Sequence, residues 1–346
     1  MSTELIEAGA PQVGERSTVR RYVGGLRKHI YLPLALACVM IAGAILTPFF
    51  FTSNNIELLL VSSATVAVLA IGQFLVVVTG GIDLSVGSIA ALSAVVVGLA
   101  MKDGVPAGIA IILALLVGAI VGVINGIMVV YGRIAPFIAT LAMLSIASGV
   151  AFLIQDEGGV ALSNNTFTDV FNGMIGLVRT PIIIFALVLA AASFVMARSA
   201  FGRRLYAIGG NIEASRLSGL PVQRDRLAAY ALSGFLAGLA GLMIAAQLSE
   251  GSARLGTGYE LSAIAAVVVG GASLAGGNGN PFNSVLGALV TASIVNIMNL
   301  LGVQSELQLV ITGAVILVAV FLTGGRGPQV IGEGLKKVRR LLDPKP

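Results

Sequence analysis

Tryptophan is absent from this 346-residue chain, cysteine and histidine occur once each, and only 11% of residues are charged. Neither a disulfide framework nor a Cys/His metal cluster can be built from Cys38 and His29. The dipeptide Gly-Lys is also missing, so no P-loop can deliver a lysine to nucleotide phosphates. There is no HExxH, no serine-hydrolase elbow, and no apolar run holding the paired acidic residues of an intramembrane aspartyl protease. The expectation is a non-enzyme, with no catalytic or metal-binding residues and no cofactor of its own.

What is abundant is apolar sequence: 57% of residues, with a mean hydropathy of +0.98. That leaves too little polar surface to cover a soluble globule. A hydrocarbon core about 30 Å thick needs roughly 20 apolar residues per helix. Ten runs of about that length read as spans, at 31–52, 57–79, 82–101, 105–131, 134–154, 180–197, 227–248, 261–277, 282–301 and 306–323, none holding Lys or Arg. The expected fold is therefore all-α, a polytopic helical membrane protein with ten transmembrane helices. The linkers around Gly80 and Gly276 are short enough to hide re-entrant segments. The first run is too long for a signal-peptide core and lacks a small-residue cleavage site, so it reads as a retained helix after the Arg20–Arg21 anchor.

Charge gives the orientation. One set of connections carries five basic residues in the N-terminal tail, Arg133, six from Arg198 to Arg226, and six from Arg326 onward, eighteen altogether. The opposite set carries Lys102, Arg179 and Arg254. Positive residues favour the cytoplasmic side, so both termini and the 198–226 segment are expected there. The division is a cytoplasmic tail 1–30, a transmembrane permease domain 31–323 with a coupling loop at 198–226, and a basic tail 324–346. The net charge of +5 then needs no nucleic acid. On the other side, the loop from Gln155 to Thr180, with Asp156, Glu157 and Asp169, is long enough to be a docking surface or a solvated crossover.

Glycine numbers 44, and Gly118, Gly122 and Gly126, like Gly234 and Gly238, recur every four residues, a spacing that lets helix backbones approach closely in lipid. Polar groups inside apolar runs must face protein or a wet cavity. Gln73, Asp83, Asn125, Gln247, Asn296, Asn299 and Gln308 are the candidates, the first six of them for a solute pathway, with Ser62, Ser63 and Ser93 weaker ones; interhelical hydrogen bonding is the alternative role for each. Amides and hydroxyls suit a neutral polyhydroxylated solute, whereas a cation-coupled carrier would need several buried carboxylates. Asp83 follows the Gly80–Gly81 break in VVVTGGIDLSVGS and is expected to cap a helix starting at Leu84. AAVVVGGASLAGG at 265–277 repeats the pattern, which suggests an internal duplication.

Between the apolar runs, FGRRLYAIGGNIEASRLSGL at 201–220 reads as a surface loop holding one short helix. Asn211 is placed as its N-cap, Glu213 falls in the first turn, and Gly219 with Pro221 supplies the stop. This loop, the string VVVTGGIDLSVGSIAALSAVV, the stretch from Gly122 to Ile154, and VVVGGASLAGGNGNPFNSVLGALV together resemble the permease family of bacterial ribose/xylose-type ABC importers, the binding-protein-dependent transport system inner membrane components. The resemblance runs from about residue 55 to 323 and departs from the pattern at Asn278, Gly279, Asn280 and Pro281.

It implies a monosaccharide permease of the bacterial inner membrane that pairs with a second copy, receives sugar from a periplasmic binding protein, and leaves ATP and Mg to a cytoplasmic tandem-domain ATPase. It also implies that the 201–220 loop carries the coupling helix, on whose pattern Gly202, Arg203, Ala207, Gly209, Gly210, Asn211, Ala214, Ser218 and Gly219 fall; Glu213 joins them by its place in the first turn. A secondary carrier working without an ATPase fits the hydropathy equally well, but gives no reason for a capped basic loop.

Overall fold

The computed structural model describes residues 15–155, 158–162 and 165–323. Residues 1–14, the acidic pair Asp156 and Glu157, and the tail 324–346 lie outside the described residues, as does the side chain of His29. The described chain is almost entirely helical. In order it runs α1 (Glu15–Leu46), α2 (Ser53–Val77), α3 (Val86–Lys102), α4 (Ala107–Val130), α5 (Pro136–Ile154), β1 (Val160–Ala161), α6 (Asn165–Asn172), β2 (Met174–Ile175) and β3 (Val178–Arg179). It continues with α7 (Thr180–Arg198), α8 (Ala200–Gly210), α9 (Ile212–Leu217), α10 (Val222–Leu248), β4 (Glu250–Gly251), α11 (Tyr259–Val269), α12 (Pro281–Leu300) and α13 (Ser305–Thr323).

Each of the ten apolar runs falls on a helix, and among the described residues six helices (α2, α4, α5, α7, α10 and α12) are long and apolar enough to cross a membrane. The protein is thus an all-α polytopic membrane protein. Three runs are corrected by the backbone, the first being 31–52, which is helical only to Leu46. The run 261–277 is helical only to Val269, and at 1.5 Å per residue the 11 residues of α11 reach about 16 Å, half of a hydrocarbon core. The run 82–101 becomes helical only at Val86. At the chain's start, α1 begins at Glu15, inside the expected tail, and continues into the first apolar run.

Helix α2 is the axis of the bundle. It is apolar on all sides and buried on all sides from Val61 to Val77 save half-buried Ser62, packed among α10, α12, α11 and α7. Helix α4 instead buries one stripe and exposes Ile109, Ile112, Leu116, Ile120 and Ile127, the pattern of a helix facing lipid. Its buried stripe is the glycine face seen in the sequence, and its partner is the other such face. A Cβ on Gly122 would lie 2.3 Å from the Tyr230 carbonyl oxygen, and one on Gly118 would lie 2.5 Å from that of Gly234. Only glycine lets α4 and α10 meet backbone to backbone.

The Gln155–Thr180 crossover is folded rather than loose. Strand β1 pairs antiparallel with β4, and β2 with β3 forms a hairpin. Helix α6 inserts Phe167 and Phe171 into the core, their ring centroids 5.2 Å apart. Arg179 pairs with Glu57 and donates to the Asn172 carbonyl at 3.1 Å, tying the crossover to the start of α2.

Candidate functional site

The 201–220 segment is two helices, not a loop with one. Ser199 caps α8 by accepting the Gly202 N–H at 3.0 Å, a signal legible in sequence as a Ser before a helical stretch. Asn211 then ends α8 and starts α9, its side-chain oxygen accepting the Ala214 N–H at 2.9 Å. Glu213 lies in the first turn and pairs with Arg216 at 2.7 Å, and the chain leaves α9 through Gly219 at φ +76. The capping expected from sequence is therefore observed, with α9 spanning six residues.

These two helices differ in exposure. In α9 only Ser215 is buried, while Ile212, Leu217 and Ala214 stand in the open. In α8, Gly202, Leu205 and Ile208 are buried, and Arg204 grips the buried Asp225 of α10 through two guanidinium nitrogens, Nε to Oδ2 and Nη2 to Oδ1, the latter at 3.0 Å. Hydrogen bonding to the carboxylate, more than charge alone, holds Arg204 and Arg216 above the ordinary arginine pKa, so both remain cations. Burial raises the Tyr206 phenol, which stays neutral and donates to the Gly279 carbonyl at 2.9 Å. The remaining coupling candidates, Arg203, Ala207 and Gly210, are exposed; Gly209 is half-buried, and Ser218 returns its hydroxyl to the Ala214 carbonyl at 2.9 Å.

The six pathway candidates separate into three places. Gln73, Asp83 and Asn125 meet in one sealed cluster, each 0% exposed. Asp83 Oδ1 accepts from the Ser85 backbone (3.0 Å) and hydroxyl (2.7 Å), and Oδ2 accepts from Ser233 of α10 (3.0 Å). Asn125 of α4 donates to Ser85 Oγ at 2.7 Å. The Gln73 amide, oriented to satisfy both ends, donates to the Asp83 carbonyl at 2.9 Å and accepts its N–H at 3.3 Å. Asp83 thus does not cap a helix at Leu84: α3 starts two residues later, and the carboxylate closes a turn onto Ser85 while bridging to α10. Ser85 and Ser233, which hold this carboxylate, were not singled out by sequence reasoning; nothing local marks two serines 148 residues apart as partners.

Gln247 lies elsewhere, lining a cavity of ≈ 340 Å³ with Asn54, Glu57, Asn172 and Arg179 at the start of α2. Asn296 and Asn299 line a third place, a cavity of ≈ 520 Å³ between α2, α11, α12 and α13. Asn296 and Asn55 exchange amide hydrogen bonds at 2.8 and 3.0 Å, and Asn299 accepts from Gln308 at 2.8 Å. Hydroxyls of Ser62, Thr257, Tyr259, Ser262, Thr291, Ser305 and Thr312 complete the polar lining, which among the described residues contains no charged side chain.

The two Gly-Gly patterns share one geometry. Gly80 and Gly271 sit at φ +77 and +81; the Gly80 and Gly271 N–H groups bond back three residues, and those of Gly81 and Ala272 bond back five, to Val76 and Val267. Both are Schellman endings, at α2 and at α11, in the same VVV register. At the departure from the family pattern, Asn280 caps α12 by accepting the Phe282 N–H at 2.9 Å, and Pro281 takes its first position.

Apolar helices around an uncharged polar cavity, with a short capped helix exposed to solvent, are the parts a membrane permease needs. A family model described as "Branched-chain amino acid transport system / permease component" matches residues 55–320, and the chain belongs to that family. The ribose import permease protein RbsC of Escherichia coli (strain K12) is 40% identical over 294 residues, 84% of this chain and 91% of the relative. Its namesake in Bacillus subtilis (strain 168) is 40% identical over 305 residues, 88% and 95% of the two chains. The D-allose transport system permease protein AlsC of Escherichia coli (strain K12) is 37% identical over 285 residues, 82% and 87%. No solved structure matches the chain. The protein is a multi-pass inner-membrane permease subunit of an ABC importer.

Proposed function

We propose that this chain is the translocating subunit for a monosaccharide in an ATP-driven, binding-protein-dependent importer. Ten passes put both termini in the cytoplasm, α11 and the turn after it making one pass together. Two copies form the conduit in the lipid bilayer, a separate tandem-domain ATPase carries ATP and Mg, and this chain holds neither. The periplasmic binding protein docks on the folded Gln155–Thr180 crossover. ATP binding draws the coupling helices α9 together and switches the pair between inward and outward openings. Gly202, Arg203, Ala207, Gly209, Gly210, Asn211, Glu213, Ala214, Ser218 and Gly219 form or support that contact. Gln247, Asn296 and Asn299 line the solute's route, and Gln73, Asp83 and Asn125 hold its closed inner end.

The observation that carries the substrate class is the lining of the ≈ 520 Å³ cavity, all hydroxyl, amide and apolar. A neutral polyol can exchange its water for such groups, whereas a zwitterionic amino acid would leave its ammonium and carboxylate without counter-charges. The relatives named for ribose and allose point the same way. The test is uptake of labelled ribose by cells producing the permease with its ATPase and binding protein, with unlabelled sugars and unlabelled leucine as competitors. Competition by pentoses or hexoses and none by leucine is expected; leucine uptake through the complex would refute the substrate class.

A further inference from the structure

Gly209 stands where three backbone segments from distant parts of the chain converge. A Cβ there would lie 1.8 Å from the Val78 carbonyl oxygen and 2.4 Å from the Gly277 nitrogen. Those two atoms are themselves bonded, Gly277 N–H donating to the Val78 carbonyl at 2.9 Å. A Cβ on Gly276 would meet the Gly80 nitrogen at 2.8 Å and the Gly209 carbonyl oxygen at 2.9 Å, and one on Gly277 would meet the Gly210 Cα at 2.8 Å. The turn that ends α2, the turn between α11 and α12, and the end of α8 therefore touch backbone to backbone, with no side chain between them. Tyr206 adds a side-chain bond across this joint, to the Gly279 carbonyl.

Such a joint transmits displacement stiffly, because backbone has no rotamers to absorb a push. Helix α9 begins three residues beyond Gly209, on the far side of Asn211. From Val78 the chain runs directly to Asp83, which is bonded to α10, and to Ser85, which is bonded to α4. At its opposite end α2 contributes Leu58 to both cavities. A shift of α9 thus reaches the axis helix and the α11–α12 turn through one point.

We infer that Gly209, Val78 and the Gly276–Gly277 turn form the joint through which movement of the coupling helix is passed to the solute route, with Gly209 and Tyr206 as positioning residues. The inference rests on the ATP-driven reading above. Its test is the ratio of solute moved to ATP hydrolysed, in proteoliposomes holding the complete complex. Gly209→Ala forces the three segments apart, and the ratio falls about tenfold, within the usual range of coupling between sites. Tyr206→Phe removes one hydrogen bond and lowers the ratio about threefold. Gly149→Ala, whose added methyl enters open space in α5, keeps the wild-type ratio.

A merely structural role would lower transport and hydrolysis together and leave the ratio unchanged; that result overturns the joint. If Gly209→Ala fails to assemble, Tyr206→Phe decides by the same measure, a lowered ratio supporting the joint and an unchanged one overturning it. Wild-type flux that persists without the ATPase overturns the ATP-driven reading and the joint with it. Wild-type flux that needs the ATPase, alongside unchanged ratios in both variants, overturns the joint alone.

Discussion

Two helix interfaces in this bundle solve the same problem in opposite ways. Between α4 and α10, Gly118, Gly122 and Gly234 bring backbones into direct contact and leave no room for anything else. Between α2 and α12–α13, amides and hydroxyls hold the helices apart around a cavity of ≈ 520 Å³. Both lie in apolar sequence, where association gains nothing from the hydrophobic effect and depends on packing or hydrogen bonds. Packing makes a seam that cannot open; hydrogen bonds between side chains make one that can be re-paired with a solute's hydroxyls.

The comparison breaks most severely at the seam. Gly122→Leu places a branched side chain where even a methyl would overlap the Tyr230 carbonyl, so folded protein is lost at a cost above about 3 kcal/mol, visible as a collapsed peak in detergent size-exclusion chromatography. A preserved, monodisperse peak would show that α4 and α10 do not meet this way. Next in size is Asp83→Ala, which strands the Ser85 and Ser233 donors and costs about 3 kcal/mol in thermal unfolding of the purified permease. An unchanged unfolding temperature would mean that the cluster is wet.

At the end proposed to face the ATPase, a Cβ on Gly210 meets nothing within 4 Å among the described residues, so with Gly210→Glu the fold survives, yet the bulky charge stands in the proposed contact. Sugar uptake should fall about tenfold while the unfolding temperature stays put. Normal uptake would remove α8–α9 from the coupling account. The smallest effect belongs to Asn211→Ala, which deletes the cap of α9 and loosens that helix by about 1 kcal/mol, lowering uptake several-fold. On the cavity side, Asn299→Ala should raise the KM for uptake and spare the unfolding temperature, because Asn299 is exposed and its partner Gln308 also donates to the Val303 carbonyl.

What was legible in the sequence was whatever depends on neighbours along the chain. Hydropathy located every long helix, and Asn211, Glu213 and Gly219 announced α9 because caps and stops are local chemistry. The four-residue glycine spacing identified two packing faces, though not that they face each other. What was not legible depends on partners far apart in number: Asn55 with Asn296, Asp83 with Ser233, Gly209 with Val78 and Gly277. Hydropathy also overran at 261–277, because the apolar composition continues past the Gly270–Gly271 turn where the helix stops. Gln73 and Gln247 look alike in sequence, each an amide in an apolar run, yet one is sealed in a polar cluster and the other lines an open cavity.

The most direct test of the central claim is reconstitution. Proteoliposomes containing the permease are loaded with ATP, and uptake of labelled ribose is measured with and without the ATPase and the binding protein. The account predicts accumulation only when all three proteins and ATP are present. Equilibration of ribose by the permease alone would contradict it, and would identify the chain as a carrier that needs no motor.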